Sequence, residues 1–86
     1  MKLFKFYIEH CPQCKILSRN LKGLVNVDIE EVDCEENEDL ATKYQVSTLP
    51  TLVLVNDEGE VIRKMTGVMS TDVLQSIINC ENEGQQ

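Results

Sequence analysis

The spacing of apolar positions changes several times along the chain, and each change marks a new element. Residues 3–8, Leu-Phe-Lys-Phe-Tyr-Ile, are rich in aromatic residues and predict a first strand. From Pro12 the apolar residues Ile16, Leu17, Leu21 and Leu24 suit one face of a helix over 12–22, and Gly23 supplies its stop. Val25, Val27, Ile29 and Val32 predict a second strand, followed by a strongly acidic connection from Asp33 to Asp39. Asn37 is placed to cap a short helix, Glu38 to Tyr44, with Leu40, Ala41 and Tyr44 on one side. Val46 to Thr51 reads as an extended link containing Pro50. Thr51-Leu-Val-Leu-Val55 is β-branched and apolar throughout, as suits a strand buried on both faces. Asn56 to Gly59 forms a hairpin turn, Glu60 to Met65 returns as an alternating strand, and Gly67 breaks it. Ser70, Thr71 or Asp72 caps a last helix with Val73, Leu74, Ile77 and Ile78 inward. The tail from Glu81 to Gln86 is polar and expected to fray.

The resulting order is β-α-β-α-β-β-α. Its opening implies a parallel strand pair joined by a right-handed crossover, and the later hairpin adds antiparallel strands. The 86 residues suffice for one modest core, and no repeat or linker divides them, so residues 1–86 read as a single domain. A 42% hydrophobic content speaks against wholesale disorder. The net charge of −7 speaks against binding to nucleic acid or to anionic membrane surfaces, and it would steer partners that carry a basic patch. No apolar run is long enough to span a bilayer. Lys5, Glu9 and His10 interrupt the apolar start, so no targeting segment is read there and a cytoplasmic place is expected.

Between the first strand and the first helix stands His-Cys-Pro-Gln-Cys-Lys, residues 10–15. Cysteines three apart in a first helical turn point to nearly the same side. Cys11 would lie at the helix N-terminus, where free backbone N–H groups and the macrodipole favour a thiolate. Its pKa should then fall below the free value of about 8.5. Pro12 suits the first helical position, and Lys15 adds positive charge. A thiolate at Cys11 is the nucleophile that thiol–disulfide exchange requires, with Cys14 placed to resolve the mixed disulfide. A zinc site is the rival use of the motif, with Cys11, Cys14 and His10 as ligands, but the usual second ligand pair is absent.

Together with Val46-Ser-Thr-Leu-Pro-Thr51 and the following hairpin with Gly67, this start resembles the thioredoxin superfamily. The resemblance covers nearly the whole chain but only the minimal core, without the extra N-terminal strand and helix of full-length thioredoxins. It implies a thioredoxin-like fold: a four-stranded mixed sheet with helices on both faces. It implies a nucleophile at Cys11, a resolving cysteine at Cys14 and a cis-proline at Pro50, packed against the disulfide. Leu49 would pair through its backbone with an extended substrate, and Thr48, Thr51 and Gly67 would help shape the groove. No cofactor beyond the redox-active Cys11–Cys14 disulfide is implied. The implied partners are a disulfide-bearing protein and a flavin-dependent thioredoxin-type reductase or another dithiol protein, with the chain a monomer.

The departures from the family pattern are specific. Thioredoxins usually carry Trp before the first Cys and Gly-Pro between the cysteines; here stand His10 and Pro12-Gln13. Cys-Pro-x-Cys is closer to glutaredoxins, so a glutathione-dependent enzyme is the first alternative. Thr66-Gly67-Val68-Met69-Ser70-Thr71-Asp72 has only one Gly and one acidic residue for a glutathione site, which weakens it. A metal-binding or adaptor module is the alternative from another class. Thioredoxins also keep an Asp six residues before the first Cys and a Lys on the neighbouring strand; here the alignment gives Lys5 and Glu31. Either this exchanged pair meets below the site, with Glu31 able to take a proton from Cys14, or both are solvated strand residues. His10 is either a pH-dependent donor to the thiolate or a solvated side chain. Cys34 and Cys80 read as small buried hydrophobic residues.

Overall fold

The computed structural model describes residues 1–84. Its elements are β1 (Lys2–Tyr7), α1 (Pro12–Leu21), β2 (Asp28–Asp33), α2 (Glu38–Lys43), β3 (Thr51–Val55), β4 (Val61–Thr66) and α3 (Thr71–Gly84). The strands form one mixed sheet in the order β2-β1-β3-β4. β1 pairs parallel with β2 and antiparallel with β3, and β3 pairs antiparallel with β4.

Strand alternation divides the core into two layers. Leu3, Leu52 and Leu54 meet Leu17 and Leu21 of α1 and Leu74 of α3 on one face. Phe6, Val32, Val53 and Val55 form the other layer, against which Leu40 and Tyr44 pack. Helices therefore cover both faces. β3, the strand without a polar position after Thr51, is buried along its whole length.

Several boundaries depart from the sequence expectation, each for a local reason. β2 starts only at Asp28. Asn26 takes a positive φ of 64°, and the Gln75 side chain bonds both the N–H and the C=O of Val25, doing there what a strand partner would. Ile16 and Val73 are exposed, not inward. Leu17 and Leu74 occupy the buried arcs of those helices, each next in sequence to an apolar residue that faces water. α1 ends without a glycine in the left-handed region, since Lys22 caps it in ordinary helical geometry. Gly23 instead gives room, as a Cβ there would lie 2.9 Å from Cγ2 of Thr71. Asn37 makes no side-chain cap bond to α2; its amide donates to the carbonyl of Asp33. The polar residues from Glu81 continue α3 to Gly84, while positions 85–86 of the expected tail lie outside the described residues.

Candidate functional site

The first half of the site is built by the junction of β1 and α1. β1 runs through the middle of the sheet and ends at Tyr7, and the chain then turns at Glu9-His10, with His10 at φ 61°. Cys11 is extended and serves as the N-cap of α1: its Sγ accepts the Cys14 N–H at 3.2 Å. Pro12 takes the first helical turn, where its missing N–H costs no bond. Cys14 lies one turn in and is buried, whereas Cys11 is partly exposed. The two are joined as a disulfide with their Cα atoms 5.2 Å apart. No acidic residue stands in the first turn of α1, so nothing there offsets the positive end of the helix. Lys15 follows, and it is exposed, as are His10, Pro12 and Gln13.

The second half comes from the entry to β3. Leu49–Pro50 is a cis peptide. Pro50 is buried; its carbonyl accepts the Gly67 N–H at 3.0 Å, and Gly67 has φ +86°. Thr51 Oγ1 donates to the carbonyl of Thr48 at 2.6 Å, bending the segment back on itself. Thr51 pairs with Phe6 on one side and Thr66 on the other. That register sets Pro50 and Gly67 at the same end of the sheet as the turn that delivers Cys11.

Beside the disulfide lies a cleft of about 340 Å³, on the side of β2. Its lining includes Tyr7, His10, Cys11, Cys14, Lys15 and, deeper, the group Lys5, Ser18 and Glu31. Lys5 and Glu31 are register partners on β1 and β2, and their side chains meet at 3.2 Å. Lys5 is 3% exposed and Glu31 48%. The pair is closed by Ser18 of α1, whose hydroxyl accepts from Lys5 Nζ and donates to Glu31 at 2.7 Å. The Lys5 ammonium also lies 5.0 Å from the centre of the Tyr7 ring. The Ser18 hydrogen bond and the Lys5 ammonium hold Glu31 below the ordinary carboxylate range. A carboxylate so stabilised is a weaker base than a free one. Burial, and then the carboxylates of Asp33, Glu31, Glu36 and Glu9, push the Tyr7 phenol up, so it stays neutral.

Ser18 was not among the residues marked by sequence. Its signal was a polar residue four places after Cys14, on the arc shared with Leu17 and Leu21. Cys80 is exposed, contrary to expectation, because it lies on the outer side of α3; Cys34 is half-buried after β2. Among the described residues, no group of three or more His, Cys, Asp or Glu is arranged to hold a metal ion.

The Thioredoxin family model matches residues 1–80. A thioredoxin of Chlamydia pneumoniae is 35% identical over 81 residues, spanning 90% of this chain and 78% of that protein. A mutant thioredoxin from Halobacterium salinarum superposes with a TM-score of 0.82 at 32% identity, covering 92% of this chain and 72% of that one. Thioredoxin 1 from Thermosipho africanus shares the fold at a TM-score of 0.84 and 24% identity, with 99% and 98% of the two chains covered.

Proposed function

The chain belongs to the thioredoxin family and is a thiol–disulfide oxidoreductase; from this we propose that it works as a protein disulfide reductant, with Cys11 the attacking and Cys14 the resolving sulfur. The observation that carries the assignment of roles is the unequal exposure of the two sulfurs. Cys11 is open at the helix N-terminus and Cys14 is buried beneath it. A substrate disulfide reaches Cys11 first. The Cys11 thiolate attacks one substrate sulfur, a mixed disulfide forms, and the other substrate sulfur leaves as a thiolate. Cys14 then attacks Cys11, the Cys11–Cys14 bond forms, and the second substrate sulfur departs. The substrate has gained two electrons and the dithiol has lost them.

In this reading the helix terminus and Lys15 stabilise the Cys11 thiolate. Leu49, Pro50 and Gly67, with Thr48 and Thr51 holding the bend, receive an extended segment of the substrate. His10 and Gln13 flank the reacting sulfur at the surface. Re-reduction falls to a flavin-dependent thioredoxin-type reductase or another dithiol protein, in the cytoplasm, with residues 1–86 acting as one monomeric domain. Among the described residues no helix is long and apolar enough to cross a membrane. The test is the equilibrium reduction potential of the Cys11–Cys14 pair, with the oxidised residues located by peptide mapping. A value of about −270 mV supports a reductant, whereas about −200 to −230 mV indicates a glutaredoxin-type protein. A value of about −120 to −180 mV indicates an oxidant or isomerase and overturns the proposal.

A further inference from the structure

We propose that Lys5, held by Ser18, is a positioning residue that stabilises the thiolate of Cys14 and so promotes release of the reduced product; this rests on the dithiol–disulfide reading above. Lys5 stands on the central strand and reaches the inward arc of α1, where it bonds Ser18. Ser18 is four residues after Cys14, and such positions on a helix have their Cβ atoms about 5–6 Å apart. The ammonium is thus bonded to α1 one helical turn after Cys14, and Lys5 and Cys14 line the same cleft.

The sign of the field at Cys14 follows from the unequal burial of the ion pair. The Lys5 ammonium is almost fully withdrawn from water, while the Glu31 carboxylate is about half exposed. Water screens the carboxylate far more strongly, so the cation dominates inside the protein. The other groups facing the sulfur do not reverse this. Glu9 and His10 lie exposed on the turn, Lys15 is exposed on α1, and Tyr7 is neutral. From β3, Leu52 pairs beside Lys5 and brings no charge. In the second half-reaction Cys14 loses its proton to water, and its thiolate attacks Cys11 Sγ. The Cys11–Cys14 bond forms as the bond from Cys11 to the substrate breaks. The substrate sulfur leaves with the electron pair and takes a proton from water.

The experiment is a pH titration of the Cys14 13Cβ resonance in the fully reduced chain. Lys5→Met should raise the Cys14 pKa by about one pH unit or more, and Lys5→Arg should restore most of the shift. Glu31→Gln should lower it, since the carboxylate that opposes the cation is then gone. An unchanged or lower Cys14 pKa in folded Lys5→Met overturns the proposal. If Lys5→Met does not fold, Ser18→Ala decides: it removes the hydroxyl that holds the ammonium, so a rise in the Cys14 pKa supports the proposal, and no change or a fall overturns it. No substrate enters the titration, so its failure is distinct from failure of the reductant reading, which the reduction potential of the unaltered chain decides.

Discussion

At the scale of single residues, what matters is which groups lost contact with water and which did not. Cys34 and Cys80 are both free thiols, yet one is half-buried and the other exposed. Burial, and then the charge of Asp33, push the Cys34 thiol up, so it is both shielded and protonated at neutral pH. Limiting iodoacetamide on the native oxidised chain should therefore label Cys80 at least about tenfold faster than Cys34, as mass mapping would read. Glu31 gives a second expectation. Its pKa lies below the ordinary 4.5 in the folded chain, so it contributes stability at higher pH that is lost as pH falls through the folded value. Urea midpoints at about pH 7 and about pH 3 should therefore fall further in the unaltered protein than in Glu31→Gln. An equal fall in both would mean that Ser18 and Lys5 do not hold the carboxylate. The Cys-x-x-Cys pair was legible in sequence because cysteine spacing and a helix start are both local signals. The Lys5–Glu31 contact is not legible in sequence, because it needs the pairing register of β1 and β2. Ser18 was not seen, since nothing in a lone serine reveals what it bridges.

Among the elements, the helices on the site's face are tied to each other as well as to the sheet. Asn20 of α1 donates its amide to the carbonyl of Met69, and its own carbonyl accepts the Thr71 hydroxyl at 2.7 Å. These bonds draw the N-terminus of α3 against the end of α1, so closely that Gly23 has no space for a Cβ. The hydroxyl bond fixes the Thr71 rotamer and keeps Cγ2 pointed at Gly23. Gly23→Ala should then cost about 1–3 kcal/mol through overpacking. Thr71→Ser keeps the hydroxyl and deletes the obstructing methyl, so in that background Gly23→Ala should cost little. A double-mutant cycle by urea unfolding would show a coupling of about 1 kcal/mol or more, and additive effects would mean that Gly23 matters for another reason. Sequence marked Gly23 correctly as a boundary but assigned it the wrong task, because a helix-ending glycine and a space-making glycine look alike in one chain. Element order was readable throughout, since the switch between strand and helix periods is written in the apolar positions themselves. The start of β2 was not, because a side chain from α3, Gln75, bonds the backbone of Val25 where the apolar pattern placed a strand.

For the whole molecule, the dominant property is charge. Asp and Glu outnumber Lys and Arg by 15 to 8, giving a net charge of −7 on a body with a radius of gyration of 12.3 Å. Part of the excess follows the end of β2, along Glu35, Glu36, Glu38 and Asp39 before and within α2. The whole-molecule field is thus negative, while the helix terminus, Lys15 and the buried Lys5 act on the sulfurs at short range. The two fields act at different ranges and are separable by salt. The Debye length is about 30 Å at 0.01 M and about 8 Å at 0.15 M, so the long-range field is largely removed over that interval and the local one is not. Exchange between the reduced chain and a disulfide-bearing protein of net positive charge should accordingly slow severalfold across it. Exchange with the doubly anionic disulfide 5,5′-dithiobis(2-nitrobenzoate) should quicken, because the whole-molecule repulsion is screened while the attraction at the site persists. Stopped-flow rates at matched pH would show the two slopes with opposite sign. Reversed slopes, with the cationic protein quickening and the anionic disulfide slowing, would mean that approach is governed by the local charges around Cys11, and that the acidic surface serves solubility alone.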